Sequence, residues 1–99
     1  MEAKTIERHI DCGKWRMRIE GGMEATDVRL RGARNRHIGL LKLAQEDFRT
    51  RLPRTPEDKV REDMVLRAVP LYWAFYGNEV QIWPAPAHEW DIEIDVRPK

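Results

Sequence analysis

Asp91, Glu93 and Asp95 are the residues whose types and spacing come nearest to catalytic chemistry. Carboxylates at every second position share one face of an extended strand, where three together can hold a divalent cation for a metal-dependent hydrolase such as a nuclease. A nuclease of that kind also wants a lysine nearby on the strand, and residues 89–96 contain none. The competing reading is a solvated face, or pairing with Arg16, Arg18, Arg29 and Arg31 on neighbouring strands. It is the stronger one, because opposite charges across strands are an ordinary stabiliser, though worth little per pair at a surface.

The other chemistry-bearing residues are weaker signals. His9 and Cys12 lie close in sequence, but a nucleophile and its base need a third group to orient the base, so a thiol in a turn is the simpler reading. His37 sits in a basic stretch and His88 in a proline loop, and no two histidines stand at helical or zinc-finger ligand spacing. Gly21 and Gly22 suit a chain reversal rather than a phosphate cradle before a helix. The sequence therefore indicates no catalytic residue, no metal ligand set and no cofactor, and it points away from an enzyme.

Arg29, Arg31, Arg34 and Arg36 make a better case for binding. The nine residues 28–36 hold these four arginines and no acid. Arginines neutralise phosphates, and tryptophan and tyrosine elsewhere offer stacking platforms for bases. Against nucleic acid stands a sequence pI of about 7.9, where nucleic-acid-binding domains usually exceed about 9. An acidic protein surface is a candidate partner beside nucleic acid, and arginines on the solvent face of a strand and its loop account for the stretch no less well than all the binding readings together.

These residues must be positioned by short strands. Trp15, Met17 and Ile19 alternate with Arg16 and Arg18, the period of a half-buried strand. Ile6 and Ile10 suggest a partner strand before it, and Gly21-Gly22 offers a tight reversal after it. Val28 and Leu30 alternate with Arg29 and Arg31, which reads as a further strand. Residues 37–43 read as a strand and 45–51 as a short helix, stopped by Pro53. Thr55 as N-cap, Pro56 in the first turn and Glu57 and Asp58 at the positive end predict a second helix, with Val60, Met64 and Ala68 on one face and Pro70 beyond it. Residues 53–70 read equally as a packed helix or as an arm. Gly77-Asn78 between two apolar runs predicts a two-residue hairpin in which Phe75 faces Val80, Trp73 faces Ile82 and Tyr72 faces Trp83. Pro84 and Pro86 end the pairing. A last strand carries Trp90, Ile92, Ile94 and Val96 on one face and the three carboxylates on the other.

The 99 residues make one domain, 1–99, mainly β with one or two short inserted helices, built as an antiparallel sheet or a small β-sandwich. Charged residues reach 35% and hydrophobics 41%, so there is apolar surface enough to fold and disorder is disfavoured. No apolar run approaches the roughly 18 residues of a membrane helix, and no basic start leads into an apolar secretory segment. Cys12 is the only cysteine, which excludes an internal disulfide. Residues 1–51 carry 12 basic and 8 acidic side chains, while residues 52–99 carry 6 and 9. The two halves thus have opposite net charge and can neutralise each other within one fold or between copies.

Residues 70–86 (PLYWAFYGNEVQIWPAP) and 89–96 (EWDIEIDV) together resemble the head-to-tail adaptor, or connector, proteins of tailed bacteriophages. The shared pattern is a proline, an aromatic pair, a Gly-Asn-type hairpin, a strand ending in aromatic-Pro-x-Pro and then an alternating strand. Residues 41–49 (LKLAQEDFR) are similar to the strand and short acidic helix that precede that hairpin in the family. The resemblance implies a virion structural protein, assembled in the host cytoplasm, without catalysis. It implies a ring, commonly of twelve copies of the chain, that docks between portal and tail proteins and involves no membrane. Under that reading Arg29, Arg31, Arg34 and Arg36 face an acidic surface of the next copy or ring, and Tyr72, Trp83 and Trp90 are the aromatic anchors, types favoured at interface hot spots. The same aromatics also read as core. A small nucleic-acid-binding β-domain using residues 29–36 is the alternative.

Overall fold

Ile92, Ile94 and Val96 alternate with Glu93, Asp95 and Arg97, and in the computed structural model this segment is the long strand that organises one of two sheets. The structure describes residues 2–32, 34, 36–52 and 69–99. In chain order their elements are β1 (Lys4–Ile10), β2 (Arg16–Arg18), β3 (Met23–Arg31), β4 (His37–Gly39), β5 (Leu41–Lys42), α1 (Gln45–Thr50), β6 (Tyr72–Tyr76), β7 (Glu79–Trp83) and β8 (Trp90–Pro98). The first sheet has the order β1-β8-β3-β4 and the second β2-β7-β6-β5. Val28, Leu30, Ile92, Ile94 and Val96 of the first sheet and Trp73, Val80 and Ile82 of the second belong to one buried cluster. The fold of the described residues is thus mainly β, a small sandwich with one short helix. Among the described residues, no helix is long and apolar enough to cross a membrane.

The hairpin forms in the register its sequence predicts, with Tyr72, Trp73 and Phe75 opposite Trp83, Ile82 and Val80. Gly77 supplies the positive φ of the turn at 63°, a conformation that costs glycine nothing. Trp73, Val80 and Ile82 are fully buried on the core side, and Ala74 and Gln81 are buried on the other. That second burial comes from α1, which lies against β6 and whose Phe48 is also fully buried. A strand buried on both faces reads as a continuous apolar run, which accounts for the sequence YWAFY. Gln45 satisfies the buried amide of Gln81 by donating from Nε2 to Oε1 at 3.2 Å. Glu46 and Asp47 occupy the first turn of α1 and complement its positive end.

Three expectations need correction. β1 does not pair with β2: it pairs with β8 from Lys4↔Val96 to Ile10↔Trp90, while β2 pairs with β7. Gly22, at φ 84°, still makes the reversal, but the turn carries the chain from one sheet to the other. The strand expected over 37–43 is two strands in different sheets. Leu40 N–H donates to Val28 O of the first sheet, and Leu41 N–H donates to Leu71 O of the second. Local periodicity cannot register such a crossing, because both halves are extended. One pair, β5 with β6, is parallel. The helix expected between Thr55 and Pro70 lies outside the described residues.

Ile94 is fully buried between the sheets. Ile94→Ala is expected to lower unfolding free energy by about 2–5 kcal/mol, and Thr26→Ala, at an exposed position, by less than about 0.5 kcal/mol. Urea denaturation of the two variants beside the parent checks this.

Candidate functional site

The alternation that buries Ile92 and Ile94 puts Asp91, Glu93 and Asp95 on the outer face of the first sheet, beside the outward residues of β1 and β3. Arg29 is the hub there. Its guanidinium donates to Asp95 at 2.7 and 3.0 Å, to Asp27 at 2.9 Å and to Glu93 at 3.3 Å. The side chain is only 23% exposed. Thr5 Oγ1 donates to Asp95 at 2.6 Å, Arg31 donates to Glu7 at 3.3 Å, and His37 Nε2 lies 2.9 Å from Glu93. The hydrogen bonds from Arg29, with that from Thr5, hold the Asp95 carboxyl down to about 2, and the same arrangement raises Arg29. Glu93 is lowered chiefly by its hydrogen bond with His37 and then by Arg29.

These pairs share a direction. Arg29 stands opposite Glu93 but reaches Asp95; Arg31 stands opposite Asp91 but reaches Glu7, in the next row. His37, in the row of Arg31 and Asp91, reaches Glu93. Every base on β3 and β4 in this network leans one row toward the C-terminal end of β8. The paired reading of the three carboxylates therefore holds for Arg29. Arg31 serves Glu7 instead, and Arg16 and Arg18 sit on β2 in the other sheet.

At the opposite end of β8 the histidine of β1 takes over. His9 Nδ1 lies 3.0 Å from Asp91 Oδ1, and Nε2 lies 3.5 Å from Asp11 Oδ1 and 3.7 Å from Glu89 Oε1. The hydrogen bond with Asp91, helped by the charges of Glu89 and Asp11, raises the His9 imidazole above its ordinary range. Cys12 does not join His9; its thiol donates to Ala87 O at 3.2 Å. The sequence offered no local signal for this group, because its members come from opposite ends of the chain and only the β1–β8 register unites them.

The expected interface residues separate into two sets. Arg29 and Arg31 are ion-paired inside the chain, whereas Arg34 and Arg36 are exposed at the β3–β4 turn. Tyr72 lies under the Arg51 guanidinium, 4.5 Å from its ring centroid. Trp83 meets Trp15 edge to face at 5.8 Å, and Trp90 packs half-buried against the core. Sequence reasoning missed a set of exposed apolar residues. Ile38, Leu41, Val69 and Leu71 are 45%, 60%, 39% and 43% exposed; Ile38 and Leu41 stand on either side of the crossing at Leu40, and Leu41 N–H donates to Leu71 O at 2.9 Å. His88, in the loop before β8, is exposed. Comparison with protein-family models and with curated proteins finds no match.

Asp95 gives the network a definite pH dependence. Its folded value is depressed, so the stability it contributes is present above its ordinary value of 3.8 and is lost as pH falls toward 2. Arg29→Leu leaves three carboxylates facing one another and is expected to cost about 1–3 kcal/mol at pH 7. The deficit should shrink on acidification toward pH 2. Urea titrations at both pH values decide: an undiminished deficit in acid would assign the loss to packing instead.

Proposed function

We propose that the chain is a virion structural subunit of the head-to-tail connector type, acting by ring formation and docking between portal and tail. One observation carries the assembly part: Ile38, Leu41, Val69 and Leu71 are exposed apolar side chains, and the exposed Arg34 and Arg36 lie just before Ile38 in the chain. An apolar centre with an arginine rim is the composition of a protein interface. The occupant is a second copy of the chain, whose exposed Glu46 and Asp47 on α1 supply the acidic complement. Such a contact uses two different patches of the same molecule, so repetition closes a ring when the rotation closes. The connector identity draws its support from the resemblance of residues 41–49, 70–86 and 89–96, which form β5, α1, the β6–β7 hairpin and most of β8. Nucleic-acid binding ranks second, because two of its four arginines are engaged within the chain.

Light scattering across a concentration and salt series tests the reading. A discrete ring-sized species is expected, and Leu41→Asp should reduce it to monomer without lowering the melting temperature. Arg36→Glu should weaken assembly most at low salt, where rim charges are least screened. A monomer at every concentration, unaltered by Leu41→Asp, would overturn self-assembly, and salt-sensitive retention of that monomer on a nucleic-acid column would favour the second reading.

A further inference from the structure

At the end of the β1–β8 ladder three carboxylates, Asp11, Glu89 and Asp91, meet one histidine, His9. His9 stands opposite Asp91 and Ile10 opposite Trp90, so Asp11 and Glu89 continue the same antiparallel row order by one step. All four outward residues, 9, 11, 89 and 91, then share one face. Their backbones are tied together beyond the ladder: Gly13 N–H donates to Pro86 O at 2.8 Å and the Cys12 thiol to Ala87 O at 3.2 Å. Among the described residues, neither Arg nor Lys forms an ion pair with Asp11, Glu89 or Asp91.

We propose that this corner is a divalent-metal site of the zinc class, with His9 Nε2 and one carboxylate oxygen each from Asp11 and Glu89 as protein ligands. Asp91 is the positioning residue. By accepting from Nδ1–H it fixes the tautomer in which the Nε2 lone pair faces the two carboxylates, the arrangement that metal-binding histidines ordinarily require. The spacing fits as well. Bonds of about 2.0–2.2 Å place tetrahedral ligands roughly 3.3–3.6 Å apart, against the observed 3.5 and 3.7 Å from Nε2. All three ligand atoms lie within 4.8 Å of one another, so small side-chain rotations close the set. Three protein ligands on an exposed corner leave the remaining positions to water. The imidazole selects zinc, cobalt or nickel over magnesium and calcium, which prefer all-oxygen sets. The site is independent of the connector reading, since all its ligands come from one chain.

The test is calorimetric titration of the whole chain with zinc chloride, repeated with magnesium chloride. One zinc per chain and no magnesium heat are expected. His9→Gln and Glu89→Gln should each weaken zinc binding more than about tenfold and Asp91→Asn by about tenfold, while His88→Gln leaves it unchanged. Because a variant can lose its fold, the imidazole nitrogen resonances of the parent chain supply a second readout: zinc should shift Nε2 of His9 and leave Nδ1 protonated. Absence of saturable zinc binding, binding that survives His9→Gln, or zinc shifts confined to His37 or His88 would overturn the proposal.

Discussion

Strand β8 lies between β1 and β3, so its register is fixed from both sides at once. A slip of one residue would expose Ile92, Ile94 and Val96 and turn Asp91, Glu93 and Asp95 inward. Each of those apolar side chains is worth about 1.5–3 kcal/mol in burial, whereas exposed ion pairs contribute about 0–1 kcal/mol each. Hydrophobic alternation therefore chooses the register, and the charged outer face follows from it. Glu93 and Asp95 are then presented to Arg29 because β3 obeys the same alternation, with Val28 and Leu30 fully buried beneath it. The second sheet joins this arrangement through Trp73, Val80 and Ile82, which complete the same core.

Part of the opposite charge of the two halves of the sequence meets within the chain. Arg29 from the first half binds Glu93 and Asp95 from the second, His37 binds Glu93, and His9 meets Asp91 and Glu89. An ion pair formed inside a fold is not available to a neighbour. Of the four arginines between 29 and 36, Arg34 and Arg36 in the turn are the two that form no ion pair within the described residues. Association at this edge would then draw its affinity from Leu41 and its neighbours, with the arginines setting orientation and partner choice.

Period-two alternation was legible wherever a strand buries one face, and it placed β2, β3, β8 and the β6–β7 hairpin. The hairpin's register followed from Gly77-Asn78, because a two-residue turn leaves only one pairing. What alternation cannot carry is the choice of partner. Nothing local distinguishes β1 paired to its sequence neighbour from β1 paired to a strand at the far end of the chain. For the same reason the crossing at Leu40 was invisible, since both sides of it are extended. Exposed Leu41 looked like one more apolar residue of a strand, and its exposure depends on where the chain leaves the first sheet. The carboxylates of β8 were recognised as a paired face, but their partners were identified only in part, because side-chain lean moves each contact one row from the register.

That lean also explains why one corner of the face differs from the rest. β3 ends at Arg31, opposite Asp91, so the last row of the β1–β8 ladder, Ile10↔Trp90, has no third strand beside it. Arg29, Arg31 and His37 all reach toward the other end of β8, which withdraws the charge of Arg31 and His37 from the row of Asp91, the last that β3 covers. Asp11, Glu89 and Asp91 consequently converge on a single imidazole. A neutral histidine that donates its Nδ1–H to Asp91 offers Asp11 and Glu89 a lone pair rather than a proton, and a cation bound between them, whether a proton or a metal ion, relieves that repulsion. The position of the cation site is thus a consequence of strand length and side-chain direction, set by the same alternation that fixes the core.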